Sequence, residues 1–162
     1  MKSYSEASIF LVEDNEMYSL MLDHKLKDFM NFRLKTFASA EDCIENLYQK
    51  PDIVILDYKL PKMNGIEALK AIKEFNNDIP VVVLSGQENI DVALDASRFG
   101  ALGYVIKDKN AISKIFEYIG KALIQVEDKK GSYTFTIRKE ILHFILWGIV
   151  VLGTFTLLLI KI

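Results

Sequence analysis

Short apolar runs alternate with amphipathic stretches along the chain up to Val126. Ile9-Phe10-Leu11-Val12, Ile53-Val54-Ile55-Leu56 and Val81-Val82-Val83-Leu84 are unbroken apolar runs of the kind that form strands buried on both faces. Gly103 to Ile106 gives a shorter strand, and the alternating Phe32 to Phe37 predicts a strand nearer the sheet edge. Helical spacing fills the gaps. Met17, Leu20, Met21, Leu22 and Leu26 predict the apolar side of a first helix, with Asp14 or Asn15 as its cap. Ser39 followed by Asp42 predicts the start of a helix over 40–48 that turns Ile44, Leu47 and Tyr48 to the sheet. Ile66, Leu69 and Ile72 mark a third helix. Val92, Ala93, Ala96 and Phe99 mark a fourth, begun by Asn89 and ended by Gly100. Ile112, Ile115, Phe116, Ile119 and Leu123 stripe the last. Five β/α units in succession, with no internal repeat, predict an α/β fold: a doubly wound, five-stranded parallel sheet covered by helices on both faces.

The pattern changes at Glu127-Asp128-Lys129-Lys130-Gly131-Ser132, a polar break. The expected organisation is a domain over 1–128, a linker over 129–140 and a transmembrane helix over 141–160. Tyr133 to Ile137 alternates but has no partner strand, so it is assigned to the linker. The stretch ILHFILWGIVVLGTFTLLLI contains no Asp, Glu, Lys or Arg. Its length as a helix is roughly 30 Å, the thickness of a bilayer core. A soluble oligomerisation helix of that length would show a polar face. Gly148 and Gly153 are not in G-x-x-x-G spacing, so no dimer motif is indicated. Lys129, Lys130, Arg138 and Lys139 precede the span and only Lys161 follows it. The positive-inside rule then predicts a single-pass protein of the cell membrane with its domain in the cytoplasm. The run Ile9 to Val12 is too short for a signal-peptide core.

Composition adds limits. A chain of 162 residues holds one ordinary domain and an appendage. A net charge of -2 gives no basic surface for nucleic acid. The single cysteine, Cys43, precludes an intramolecular disulfide, and His24 and His143 are not spaced as a metal pair.

The polar residues at the strand ends carry the candidate chemistry. The apolar runs end, in order, on Glu13-Asp14, on Asp57, on Ser85-Gly86 and on Lys107. Singly these are caps, turns and solvated ends. In a parallel sheet all of them meet at one edge, where ligands collect in open α/β folds. Three carboxylates crowded there either raise their pKa values or draw in a cation. Hard oxygen ligands favour Mg²⁺.

This ordered set, with D-x-x-L-P-x-x-x-G running from Asp57 to Gly65, resembles the receiver domain of two-component response regulators over roughly 7–126. The resemblance implies a flavodoxin-like receiver fold. It also implies that Asp57 is the nucleophile and becomes a 4-aspartylphosphate. Mg²⁺ would be held by Glu13, Asp14, Asp57 and the backbone carbonyl of Lys59. Lys107 would pair with a phosphate oxygen and Ser85 would donate its hydroxyl to another, with Ser85 and Tyr104 as the switch. One departure stands out: Asp108 follows Lys107, where family members commonly carry proline, often with a cis peptide bond. A cis bond before a non-proline residue costs about 2.5–4 kcal/mol, so a trans bond or a rearranged loop to the last helix is expected.

On this reading the protein is a membrane-anchored, stand-alone receiver. It takes phosphate from a sensor histidine kinase or a histidine phosphotransfer protein, and nothing after Asp128 is large enough for a DNA-binding or enzymatic output domain. Output passes to an unidentified protein partner or runs through phosphate drainage. The only catalysis expected is self-phosphotransfer and autodephosphorylation. The alternative is a degenerate receiver serving as a constitutive membrane docking module, against which stands the full set of site residues. A D-x-D phosphohydrolase is disfavoured by Lys59, and a nucleotide-binding fold by the lack of a Gly-rich loop after the first strand.

Overall fold

The three unbroken apolar runs become the interior of one sheet. In the computed structural model, which describes residues 7–29 and 32–129, ten elements of strand and α-helix alternate. They are β1 (Ser8–Val12), α1 (Glu16–Phe29), β2 (Arg33–Phe37), α2 (Ala40–Glu45), β3 (Ile53–Asp57), α3 (Gly65–Phe75), β4 (Val81–Ser85), α4 (Ile90–Arg98), β5 (Gly103–Ile106) and α5 (Ala111–Lys129). The strands are all parallel, in the order β2-β1-β3-β4-β5, so the alternating Arg33–Phe37 lies at an edge as its pattern predicts. Every residue of β3 and β4 is buried.

Strand alternation divides the core in two. Phe10, Val12, Val54, Leu56, Val81 and Val83 meet Leu47, Leu69, Ile72, Val92 and Ala96 beneath α2, α3 and α4. Ile9, Leu11, Ile53, Ile55, Val82, Leu84 and Val105 meet Leu22, Leu26, Ile115 and Ile119 of α1 and α5. Both faces of the sheet are thus covered, as a doubly wound fold requires.

Two predicted apolar faces are corrected. On α1 only Leu22 and Leu26 are buried, with Tyr18 packed beside them; Met17, Leu20 and Met21 are 78%, 58% and 40% exposed. The inward stripe runs 18, 22, 26, and the helical period carries its neighbours sideways. Tyr48 is likewise exposed. α2 stops at Glu45, and the chain tightens into a 3-10 turn, Leu47–Gln49, that buries Leu47 and turns Tyr48 out.

The caps follow the sequence more closely. Asn15 Oδ1 accepts from the Tyr18 N–H at 3.0 Å, and Ser39 Oγ accepts from the Asp42 N–H at 3.2 Å. Asn64 and Glu67 form a reciprocal capping box at the start of α3. α5 continues through Glu127 and Asp128 to Lys129.

The chain divides into two units, Met1–Gly131 and Ser132–Ile162, and the described residues belong to the first. Among them no helix is long and apolar enough to cross a membrane. The predicted span, 141–160, and linker residues 130–140 lie outside the described residues.

Candidate functional site

β1, β3, β4 and β5 run side by side, so their carboxyl ends share one edge. Each end is fixed by a backbone bond to a neighbour. The Glu13 N–H donates to the Phe37 carbonyl at 2.9 Å, the Tyr58 N–H to Leu84 at 2.8 Å, and the Lys107 N–H to Ser85 at 2.8 Å. The register sets Glu13 beside Asp57, with Ser85 one residue and Lys107 two residues further along the same edge.

The side chains of Glu13 and Asp57 converge on Lys107. Its Nζ donates to Glu13 Oε2 at 2.6 Å and lies 2.9 Å from Asp57 Oδ1. Asp57 Oδ1 is off the hydrogen-bond direction and, like Glu13 Oε1, is a buried oxygen without a hydrogen-bond partner among the described residues. Asp14 is exposed at the rim, and one carboxylate oxygen from each of Glu13, Asp14 and Asp57 lies within 4.8 Å of the others. Burial pushes the Glu13 carboxyl above its ordinary value. The Lys107 hydrogen bond opposes this, and the Asp57 charge adds to it.

Among the described residues three carboxylates cluster at one ammonium that pairs with two of them, and two of their buried oxygens have no hydrogen-bond donor. That donor set is all hard oxygen, and it fits a small divalent cation such as Mg²⁺. Lys59 lies on the loop two residues beyond Asp57, with an exposed side chain. That loop is shaped by the Gly65 N–H, which donates to the Tyr58 carbonyl at 2.8 Å.

Ser85 is buried, and its hydroxyl donates to the Gln87 carbonyl at 2.8 Å. The Tyr104 hydroxyl donates to the same carbonyl at 3.0 Å. Past β5 the Lys107–Asp108 peptide is trans, as every described peptide is. Asp108 Oδ1 accepts from the Asn110 N–H at 2.8 Å, and the Asp108 carbonyl from Ala111, so the aspartate opens α5 with a side-chain-closed turn.

Two participants escape the sequence reading. The Gln87 carbonyl is backbone and leaves no residue-type signal. Tyr18 places its ring centroid 4.6 Å from Lys107 Nζ. It lies four residues before Leu22 and eight before Leu26, a spacing that would have placed it on their face of the helix. Burial and the charges of Glu13, Asp57 and Asp108 push its phenol up to about 12.

Comparison with known proteins bears on this arrangement. The family model described as "Response regulator receiver domain" matches residues 9–119. Among curated proteins, the transcriptional regulatory protein ZraR of Klebsiella oxytoca is 32% identical over 106 residues, covering 65% of this chain and 24% of that protein. The regulatory protein LuxO of Vibrio cholerae is 34% identical over 111 residues, covering 64% of this chain and 24% of that one. The chain thus spans about a quarter of the length of these relatives. Among solved structures, a response regulator receiver domain protein from Clostridium thermocellum superposes with a TM-score of 0.69 at 23% identity, over 75% of this chain and 97% of that one. The signal receiver domain of a LuxO repressor protein from Vibrio parahaemolyticus gives 0.67 at 23% identity, over 78% and 99%. At these identities the two structures speak for the fold.

Proposed function

The chain belongs to the response regulator receiver family, and we propose that it is a Mg²⁺-dependent phosphoacceptor that takes a phosphoryl group from a phosphohistidine donor onto Asp57. The observation that carries this is the convergence of Lys107 Nζ, Glu13 Oε2 and Asp57 Oδ1 at the ends of three strands. A carboxylate oxygen of Asp57 attacks phosphorus as the P–N bond to the donor imidazole breaks. The bond's electrons pass to the imidazole nitrogen, and the new bond is a mixed anhydride. When bound at Glu13, Asp14, Asp57 and the Lys59 carbonyl, Mg²⁺ supplies charge neutralisation and a template for in-line approach. Lys107 offers a compact cation to one phosphoryl oxygen. Ser85 offers its hydroxyl to another, which requires it to leave the Gln87 carbonyl. Tyr104 then remains as that carbonyl's hydroxyl donor, and this exchange is the switch. Water returns the anhydride to carboxylate and inorganic phosphate.

Incubating the 162-residue chain with acetyl phosphate and Mg²⁺, then measuring intact mass, tests the assignment. Wild type gains one phosphate and Asp57→Asn gains none. Equal incorporation by both proteins rules Asp57 out. Lack of incorporation by wild type favours a constitutive docking module.

The phosphodonor is a sensor histidine kinase or a histidine phosphotransfer protein, and the output partner is a protein. The stretch 141–160, free of charged residues and preceded by Arg138 and Lys139, crosses the cell membrane once and keeps the receiver in the cytoplasm. Carbonate extraction of membranes is the test: the chain stays with the pellet, and release into the supernatant removes the anchor.

A further inference from the structure

Among the described residues Lys107 has three partners around its ammonium, and they are not alike. Two are carboxylates, Glu13 at 2.6 Å and Asp57 at 2.9 Å. The third is the face of Tyr18, with its centroid at 4.6 Å. The carboxylates belong to the acidic cluster, so a divalent cation draws on the same oxygens that hold the lysine. Phosphoryl transfer then consumes one oxygen of Asp57 outright. The lysine is therefore least held by carboxylates at the moment its charge is needed.

The ring does not enter that competition. A hard, hydrated dication binds oxygen in preference to an aromatic face. An ammonium over the same face is attracted by the ring quadrupole, more so when partly desolvated. Tyr18 is well placed for this. It sits in the first turn of α1, its N–H is tied to Asn15 Oδ1 at 3.0 Å, and its body packs on the core beside Leu22 and Leu26. Its backbone and ring are thus set by the fold, whatever occupies the acidic cluster.

We infer that Tyr18 is a positioning residue for phosphoryl transfer: its ring keeps the Lys107 ammonium beside Asp57 after metal and phosphoryl group have taken the carboxylate oxygens. This rests on the phosphoacceptor reading of Asp57. Removing the ring lets the lysine swing toward solvent, and the transition state loses a fixed cation. The metal site, made of other residues, is untouched.

The experiment uses the full chain with acetyl phosphate at saturating Mg²⁺. It measures the initial rate of phosphate incorporation by intact mass, Mg²⁺ affinity by titration, and melting temperature. Tyr18→Phe keeps the ring and the wild-type rate. Tyr18→Leu lowers the maximal rate by about three- to tenfold, with the acetyl phosphate concentration at half-maximal rate and the Mg²⁺ affinity unchanged. Tyr18→Met, also ringless, serves if the leucine variant folds poorly. A ringless folded variant with the wild-type rate overturns the inference, and so does an equal loss in the phenylalanine variant. A rate loss that tracks weakened Mg²⁺ binding or melting also overturns it, because that marks a packing role. If wild type itself takes no phosphate, the phosphoacceptor reading has failed and the inference falls with it. The two failures are told apart by the wild-type control.

Discussion

Lys107 Nζ lies 2.6 Å from Oε2 of Glu13, a contact that joins residues 94 positions apart in sequence. Glu13 and Asp57 are almost wholly buried, so this lysine is what offsets their charge. Breaking a buried pair by removing one partner leaves an uncompensated charge. Lys107→Met is expected to cost ~3 kcal/mol in urea unfolding with chelator present. The raised pKa of Glu13 limits the loss, since that carboxyl can take a proton instead. Millimolar Mg²⁺ should restore most of the loss by supplying the missing cation. A loss of the same size with and without Mg²⁺ would show that the acids do not take the metal.

Gly65 is where the site meets its supporting loop. A Cβ there would lie 2.5 Å from the Asp57 carbonyl oxygen and 2.6 Å from Tyr58 Cα, both backbone atoms that cannot swing aside. Gly65→Ala must therefore push α3 away from the end of β3. The expected cost is about 1–3 kcal/mol, typical of overpacking. The amide resonances of Asp57 and Tyr58 should move, and phosphate incorporation should slow. An unchanged urea midpoint with unchanged amide shifts would contradict the close approach.

Cys43 is buried in the same core cluster as Phe10, Phe37 and Leu47, and burial pushes its thiol from the ordinary 9.0 up to about 12. Its folded-state value is raised, so the unfolded chain loses the proton first as pH rises. The stability this thiol contributes is intact below pH 9.0 and is lost as pH climbs toward about 12. Between pH 8 and pH 10 wild type should lose about 1 kcal/mol more than Cys43→Ala. The comparison cancels the tyrosines and lysines that titrate in both proteins. Iodoacetamide at pH 8 should label the native thiol slowly and the urea-unfolded thiol fast. Parallel stability curves for the two proteins would mean that the thiol is solvated.

The sheet was legible because parallel strands buried on both faces leave unbroken apolar runs, as at Ile53 to Leu56 and Val81 to Leu84. The meeting of Glu13, Asp57 and Lys107 followed from topology, since chain order and parallel pairing put their strand ends at one edge. Helix faces were less legible. α1 carries apolar residues at 17, 20, 21, 22 and 26, but only the stripe through 18, 22 and 26 touches the sheet. Composition cannot choose between overlapping stripes. Geometry does, by aiming one of them at the strands. The turn after α2 depends on Asn46, whose Nδ2 donates to the Asp42 carbonyl at 2.8 Å and whose N–H donates to Cys43 at 3.0 Å. Such local side-chain bonds end a helix without a glycine or proline to announce it.

The strand ends of β1 and β3 store negative charge. Among the described residues Glu13 Oε1 and Asp57 Oδ1 are buried without hydrogen bonds, and Lys107 is the one cation paired with the two carboxylates, through Glu13 Oε2 and Asp57 Oδ1. In the metal-free protein these carboxylates repel, and the fold bears that cost. A ligand that binds only the folded state stabilises it by mass action, so Mg²⁺ should raise the melting temperature progressively with concentration. Asp57→Asn removes one negative charge from the pair while keeping nearly the same volume. In chelator it should therefore melt above wild type. With one carboxylate gone it should also respond to Mg²⁺ more weakly, so the two melting curves converge or cross as Mg²⁺ is added. Differential scanning calorimetry in chelator and across a Mg²⁺ series reads both effects. If Asp57→Asn melts below wild type in chelator, Asp57 contributes more through its contact with Lys107 than it costs through repulsion by Glu13. The acidic cluster is then a satisfied ion-pair network rather than a site held ready for metal.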